Sequence, residues 1–268
     1  MPKVLISDKM SPLAANYFSA RNIDCDINTG LSSEQLISCI GDYEGLAVRS
    51  STMLDENVLS AATKLQVIGR AGIGIDNIDL GYATQQGIVV MNTPFGNSIT
   101  TAEHTISMLL AIARDIPQAN ESTHLGLWEK SRFVGVEVSA KTLGIVGCGN
   151  IGSLVSDRAQ GLKMKVIGYD PFLSVERAIS LGIEKVDLDE LLSRADFITL
   201  HTPLTDITRN ILNSDSFKKV KKGVRIINCA RGGLIDEVEL KKAIDSGKVA
   251  GAALDVFSVE PAKKNILF

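Results

Sequence analysis

Residues 142–152 constrain the fold more than any other stretch of this chain. The apolar run Leu143-Gly144-Ile145-Val146 passes directly into Gly147-Cys148-Gly149-Asn150-Ile151-Gly152, and an amphipathic stretch follows through Gly161. In a G-x-G-x-x-G set between strand and helix, each glycine has a physical reading. Gly147 permits a tight turn, Gly149 lets the backbone approach a pyrophosphate, and Gly152 lets the helix pack closely on the strand. Asn150 and Ile151 open the helix, whose N-terminus offers N–H groups and partial positive charge to a phosphate. A second strand-like run, Lys165–Tyr169, leads into Asp170. A carboxylate there accepts hydrogen bonds from the adenosine ribose hydroxyls and repels a 2′-phosphate. Pro171 and Phe172 follow, with no Arg or Lys to receive such a phosphate, so the motif favours NAD over NADP.

Apolar runs alternate with helical patterns through most of the chain, as expected of parallel sheets covered by helices and buried on both faces. The first series has strands at Val4–Ser7, Ile23–Ile27, Gly45–Val48, Gln66–Gly69 and Ile88–Met91, with helices at Ser32–Ile40 and Asp55–Ala61. A turn-rich segment, Asn92 to Ser98, then precedes a long apolar helix from about Ile99 to Arg114, which Pro117 is expected to stop or kink. The second series has strands at Thr142–Gly147, Lys165–Tyr169, Asp196–Leu200, Val224–Asn228 and Gly251–Val256. Its helices lie near Ile151–Gly161, Leu188–Ser193 and Glu237–Ser246. The fold class is therefore α/β: two doubly wound parallel-sheet domains, 1–96 and 97–268, with a cleft between them.

Composition removes several other classes. With 45% hydrophobic residues in 268, the chain can build a sizeable core, and its net charge of −3 without a basic tract argues against nucleic acid as a partner. The longest mainly apolar stretch, Ile106 to Ala113, is too short to span a membrane. The four cysteines include no C-x-x-C pair, and the three histidines are scattered, so no metal is expected and the thiols read as reduced, in a cytoplasmic protein.

Other segments resemble one family. Arg70-Ala71-Gly72-Ile73-Gly74-Ile75-Asp76-Asn77-Ile78-Asp79 is similar to the substrate loop of the D-isomer-specific 2-hydroxyacid dehydrogenases. Asn92-Thr93-Pro94 with Thr101-Ala102-Glu103-His104-Thr105 resembles the start of its long interdomain helix. His201-Thr202-Pro203-Leu204 and Asn228-Cys229-Ala230-Arg231-Gly232-Gly233 resemble its nicotinamide-side loops. Ala253-Leu254-Asp255-Val256-Phe257 and Glu260-Pro261 resemble its last loop before a catalytic histidine. The resemblance implies a flavodoxin-like substrate domain and a Rossmann NAD-binding domain that carries a dimer arm. It also implies reversible hydride transfer between a 2-hydroxyacid and NAD.

The site residues follow from the same resemblance. Arg231 would hold the substrate carboxylate and C2 oxygen, and Glu260 would hydrogen-bond the histidine. Thr202, Cys229, Ala230 and Asp255 would contact the cofactor. Arg49 with Ser50, and Arg70 with Gly72, resemble sites for the phosphate and carboxylate of a phosphorylated hydroxyacid. Paired guanidinium groups beside glycine-rich amides suit such anions. Arg132 resembles a residue lent across a homodimer or homotetramer interface to the partner's substrate site. The chain stops at Phe268, before the loop in which the family carries its histidine, and His104, His124 and His201 are poor substitutes. The sequence therefore predicts a truncated chain of low activity, lacking the family's returning C-terminal helix. A reductase of glyoxylate, hydroxypyruvate or another short 2-oxoacid, and a non-catalytic NAD-binding regulator, are the competing readings.

Overall fold

A computed structural model describes residues 1–268 as two compact units, Met1–Asn97 and Ser98–Phe268. The first contains β1 (Lys3–Ile6), α1 (Leu13–Ser19), β2 (Asp24–Ile27), α2 (Ser33–Ile40), β3 (Gly45–Val48), α3 (Glu56–Ala61), β4 (Val67–Arg70), α4 (Leu80–Gln85) and β5 (Val89–Asn92). Its sheet is wholly parallel in the order β2-β1-β3-β4-β5, the flavodoxin-like arrangement, and the order reverses between β1 and β3. Leu5, Leu46, Val48 and Ile68 from the central strands pack with Leu36 and Ile40 of α2 and Val58 and Leu59 of α3. Burial on both faces, expected of every strand, fails at the edges: Ile27 of β2 and Val89 and Met91 of β5 are exposed. Each edge strand has only one neighbour in the sheet. Side chains cap the helices, Asp55 on α3, Asp79 on α4 and Ser32 on α2, the last in a reciprocal box with Gln35. Each such cap contributes about 1 kcal/mol.

The second unit opens with α5 (Ser98–Ala113) and α6 (Ile116–His124). It continues as β6 (Thr142–Val146), α7 (Asn150–Gly161), β7 (Lys165–Tyr169), α8 (Val175–Ser180), β8 (Glu184–Lys185), α9 (Leu188–Arg194), β9 (Phe197–Leu200), α10 (Ser214–Lys219), β10 (Val224–Asn228), α11 (Glu237–Asp245) and β11 (Val249–Leu254). The parallel order β11-β10-β9-β6-β7-β8 is that of the Rossmann fold, with its reversal between β6 and β9. Ala102, Leu109 and Ala113 of α5 join Val155 and Ala159 of α7 against Leu143 and Ile145 of β6. A second cluster packs Leu191, Phe217 and Leu240, from α9, α10 and α11, with Val146, Ile198 and Ile226.

Two expectations need correction. Pro117 does not stop α5. That helix ends at Ala113, Asp115 turns the chain through a left-handed residue (φ 51°), and Pro117 lies in the first turn of α6. There a missing N–H costs nothing. The last strand begins at Val249, not Gly251, and ends at Leu254, because Val249 already pairs with Val224.

Candidate functional site

In the second unit, the turn after β6 sits at the sheet's switch point, where doubly wound folds bind ligands. Gly147 has φ +93°, and a Cβ on it would lie 2.6 Å from the carbonyl oxygen of His201, at the end of β9. A Cβ on Gly152 would collide with the carbonyl of Gly147. Gly149 differs from both: it is the N-cap of α7, no side chain caps that helix, and a Cβ on it would meet nothing within 4 Å. The start of α7, at the exposed Gly149 and Asn150, therefore lies beside open space, as a bound pyrophosphate requires. Asp170 braces this turn from the end of β7: Cys148 N–H donates to its Oδ2 (2.9 Å) and Phe172 N–H to its Oδ1 (2.8 Å). An ionised carboxylate keeps further lone pairs for ribose hydroxyls. The residues thus fit a dinucleotide. Tyr169, Asp170, Pro171, Val175 and Lys185 line an adjoining cavity of about 430 Å³.

The wall behind Gly147 is built for neutrality. His201 Nε2 lies 2.9 Å from the hydroxyl of Thr199, and burial pushes the imidazole down to about 4. Its Nδ1 is buried without a partner. Thr202, the next residue, is partly buried on the same loop and its N–H approaches Gly147.

The turn after β10 carries Arg231. Buried Asn228 shapes it, donating from Nδ2 to the Arg231 carbonyl (2.9 Å) and accepting the Ala230 N–H at Oδ1 (3.0 Å). Arg231 Nη1 donates to the Ala230 carbonyl at 2.6 Å. Burial raises the Cys229 thiol to about 11, so it is neutral and unreactive near pH 7. The turn after β11 is tied alongside: Asp255 N–H donates to Asn228 O (3.0 Å), and the Asp255 carboxylate stands 3.5 Å from His104 Nε2. Phe257 N–H donates to Glu260 Oε1 (3.0 Å), while Glu237 on α11 accepts from Ser258 N–H and the Asn265 side chain, each at 2.7 Å. Arg132 is exposed and paired to Glu129 of its own chain (3.0 Å).

In the first unit, Arg49 follows β3 and Arg70 ends β4, on adjacent strands where Val48 pairs with Arg70. Arg49 and Ser50 are exposed. Gly72, in the positive-φ region at +158°, lies under the Arg70 guanidinium, which a Cβ there would strike. Sequence reasoning named these residues but gave no role to Asp8, Asn77, Asn228 or Glu237, which act on the backbones of these loops. Asn77 and Asn228 lie within quoted motifs and Asp8 and Glu237 in none, but a side-chain bond to a loop's backbone leaves no local pattern for any of the four. No group of three or more His, Cys, Asp or Glu is arranged to hold a metal ion, and no helix is long and apolar enough to cross a membrane.

Residues 106–268 match the family described as "D-isomer specific 2-hydroxyacid dehydrogenase, NAD binding domain". The chain is 48% identical over 259 residues to a D-3-phosphoglycerate dehydrogenase of Archaeoglobus fulgidus, covering 97% of this chain and 49% of that protein. To the human D-3-phosphoglycerate dehydrogenase it is 49% identical over 265 residues, covering 99% and 50%. The chain thus spans about half the length of the curated relatives it matches. Among solved structures, a glyoxylate reductase from Paecilomyes thermophila superposes with TM-score 0.90 at 30% identity, covering 97% of this chain and 83% of that one. A D-lactate dehydrogenase from Aquifex aeolicus, complexed with NAD and lactic acid, gives TM-score 0.85 at 30% identity, covering 95% and 77%.

Proposed function

Because the chain belongs to the D-isomer-specific 2-hydroxyacid dehydrogenase family, we propose that it serves the NAD-dependent oxidation of D-3-phosphoglycerate to 3-phosphohydroxypyruvate, the first step of L-serine synthesis. The observation that carries the substrate choice is the pair Arg49 and Arg70 on adjoining parallel strands. A short unphosphorylated acid needs one guanidinium for its carboxylate, whereas a phosphorylated acid presents two anions.

The hydride chemistry would be supplied by NAD held on the α7 turn. The chain's own residues do the rest. The first turn of α7 and the backbone around Gly149 hold the pyrophosphate, and Asp170 takes the ribose hydroxyls. Arg231 grips the carboxylate and draws electron density from the C2 oxygen, a task that suits its planar fork. Arg49, Ser50, Arg70 and the Gly72 backbone take the remaining charge. Thr202, Cys229, Ala230 and Asp255 border the nicotinamide end, where the neutral thiol packs without reacting. Glu260, which accepts the Phe257 N–H, is assigned the carboxylate role that orients a general acid–base. The proton carrier is assigned to none of the three histidines: burial holds the His201 imidazole neutral, His104 faces Asp255, and His124 Nδ1 lies 2.9 Å from Asn120 O on α6. Arg132 is assigned to a second subunit's site in a homodimer or homotetramer, and the protein to the cytoplasm.

Calorimetric titration in the presence of NADH tests the substrate. D-3-phosphoglycerate should bind roughly tenfold or more tightly than D-glycerate or glyoxylate, a difference of about 1.4 kcal/mol. Substituting both Arg49 and Arg70 by alanine should erase that preference. Equal affinities in the unaltered chain would instead favour a short 2-oxoacid reductase, like the glyoxylate reductase that the fold matches.

A further inference from the structure

Two buried residues lie beneath the arginine loop of the first unit. Asp8 follows β1 and is 5% exposed; its Oδ2 accepts the backbone N–H groups of Arg49 (2.6 Å) and Thr52 (3.2 Å). Asn77, also 5% exposed, donates from Nδ2 to the carbonyls of the same two residues, at 2.8 and 2.6 Å. Its own carbonyl accepts Leu54 N–H at 2.8 Å. The first and last residues of the loop therefore have both donors and both acceptors taken up by two side chains. Asp8 lies two residues past β1 and Arg49 follows β3, so the clamp spans the switch point of this sheet.

Two features separate this from ordinary loop packing. The Oδ1 of Asn77 is buried with no protein partner, so every side-chain bond it makes comes from its amide hydrogens and goes to the loop. A carboxylate beneath an anion site also opposes the ligand, so its presence is accounted for by the two amides it holds.

We infer that Asp8 and Asn77 are positioning residues for substrate anion binding. They fix the direction in which Arg49 leaves its loop. Through Asn77, they also lock that loop to the 70–77 segment carrying Arg70 and Gly72. Pre-ordering the loop removes the entropy that a mobile arginine loop would lose on binding. The inference rests on the reading that Arg49 and Arg70 receive the substrate.

The test is calorimetric titration of the full chain with D-3-phosphoglycerate and, separately, with NADH. Asn77→Asp and Asp8→Ala should weaken phosphoglycerate binding roughly tenfold or more, while NADH affinity stays within about twofold, because the dinucleotide loop belongs to the other unit. Asp8→Asn keeps an acceptor and removes the charge, so it should bind within about threefold of the unaltered chain. In the unaltered protein, the Arg49 and Thr52 amides should exchange with solvent more slowly than those of Ser50 and Ser51. This measurement tests whether the clamp is closed even if a variant fails to fold. The inference is overturned if those amides exchange as fast as their neighbours, if Asn77→Asp binds normally, or if both ligands are lost in step. Arg49→Ala separates the two levels. Should it bind as tightly as the unaltered chain, the substrate reading fails and takes the clamp with it; should it weaken binding while Asn77→Asp does not, only the clamp fails.

Discussion

In the unit of residues 98–268, the loop at the sheet's switch point is made of backbone. Gly147 and Gly152 have no room for a side chain, Gly149 faces open space, and α7 begins without a side-chain cap. In the unit of residues 1–97, the loop at the equivalent point is made of side chains. Arg49 and Ser50 stand exposed on it, while Asp8 and Asn77 hold it from below through four hydrogen bonds. Both arrangements suit anions, but they divide the work differently. A glycine loop presents the pyrophosphate with amides whose positions the strand and helix already fix. An arginine loop reaches for a substrate with long, mobile side chains, and its precision comes from buried residues that do not touch the ligand. Substitution at Gly147 or Gly152 should therefore damage fold and binding together, and substitution under the arginine loop should weaken substrate binding while sparing dinucleotide binding.

The harshest way to break this comparison is Gly147→Val. The new side chain meets φ +93° and the backbone carbonyl of His201 just past β9, so neither can yield cheaply. Left-handed strain and overpacking together should cost about 2–4 kcal/mol, read by denaturant unfolding. NADH binding, read by fluorescence titration, should be lost with it. A variant that folds normally and binds NADH would show that the turn is looser than its geometry states.

Acid should expose the same wall. An imidazole with a pKa of 6.5 when unfolded and about 4 when folded takes up its proton more readily unfolded between those values. The stability that His201 contributes is whole above pH 6.5 and is lost as the pH falls toward 4. The loss should be on the order of 2–3 kcal/mol. Unfolding curves at neutral pH and at about pH 4.5 check this against His201→Gln, which should lose correspondingly less over that interval. If the two proteins lose stability in parallel, the ring is not sealed.

Smaller again is Asp170→Ala. It removes the acceptor for the N–H groups of Cys148 and Phe172, and should cost about 1–2 kcal/mol of stability and roughly tenfold in NADH affinity. It should also narrow the discrimination against NADPH, measured by parallel titrations.

The difference between the loops explains what the sequence disclosed. Glycines at Gly147, Gly149 and Gly152 are legible because each meets a steric demand set within a few residues, and Asp170 because it ends the next strand. The strands were legible as apolar runs. Among the helices of six or seven residues, where a helical period is weak, α3 and α9 were legible and α1, α4, α8 and α10 escaped. Asp8 and Asn77 escaped for another reason: their partner Arg49 lies 41 and 28 residues away, and their effect is on its backbone. A buried Asp after a strand reads as a surface turn until the fold brings the loop over it. Asn228 was quoted within a motif, but its two bonds across the Arg231 turn became visible only in the structure.

Gly149→Asp sets the two building principles against each other most finely. In the first unit, Asp55 and Asp79 cap their helices, whereas Gly149 occupies the same N-cap position on α7 and offers no side chain. An aspartate there has space, since nothing lies within 4 Å of the Cβ it would add, and an extended backbone to accept it. Its carboxylate would take the N–H groups at the start of α7 and complement the helix dipole, so the fold should change by only a few tenths of a kcal/mol, in the stabilising direction. Dinucleotide affinity should nevertheless fall by about a hundredfold or more, because a fixed negative charge would stand where the pyrophosphate must lie. A stabilised protein that no longer binds NADH shows that α7 is left uncapped for its ligand. A protein that binds as before places the pyrophosphate elsewhere, and the contrast between a backbone-built and a side-chain-built anion site then loses its first term.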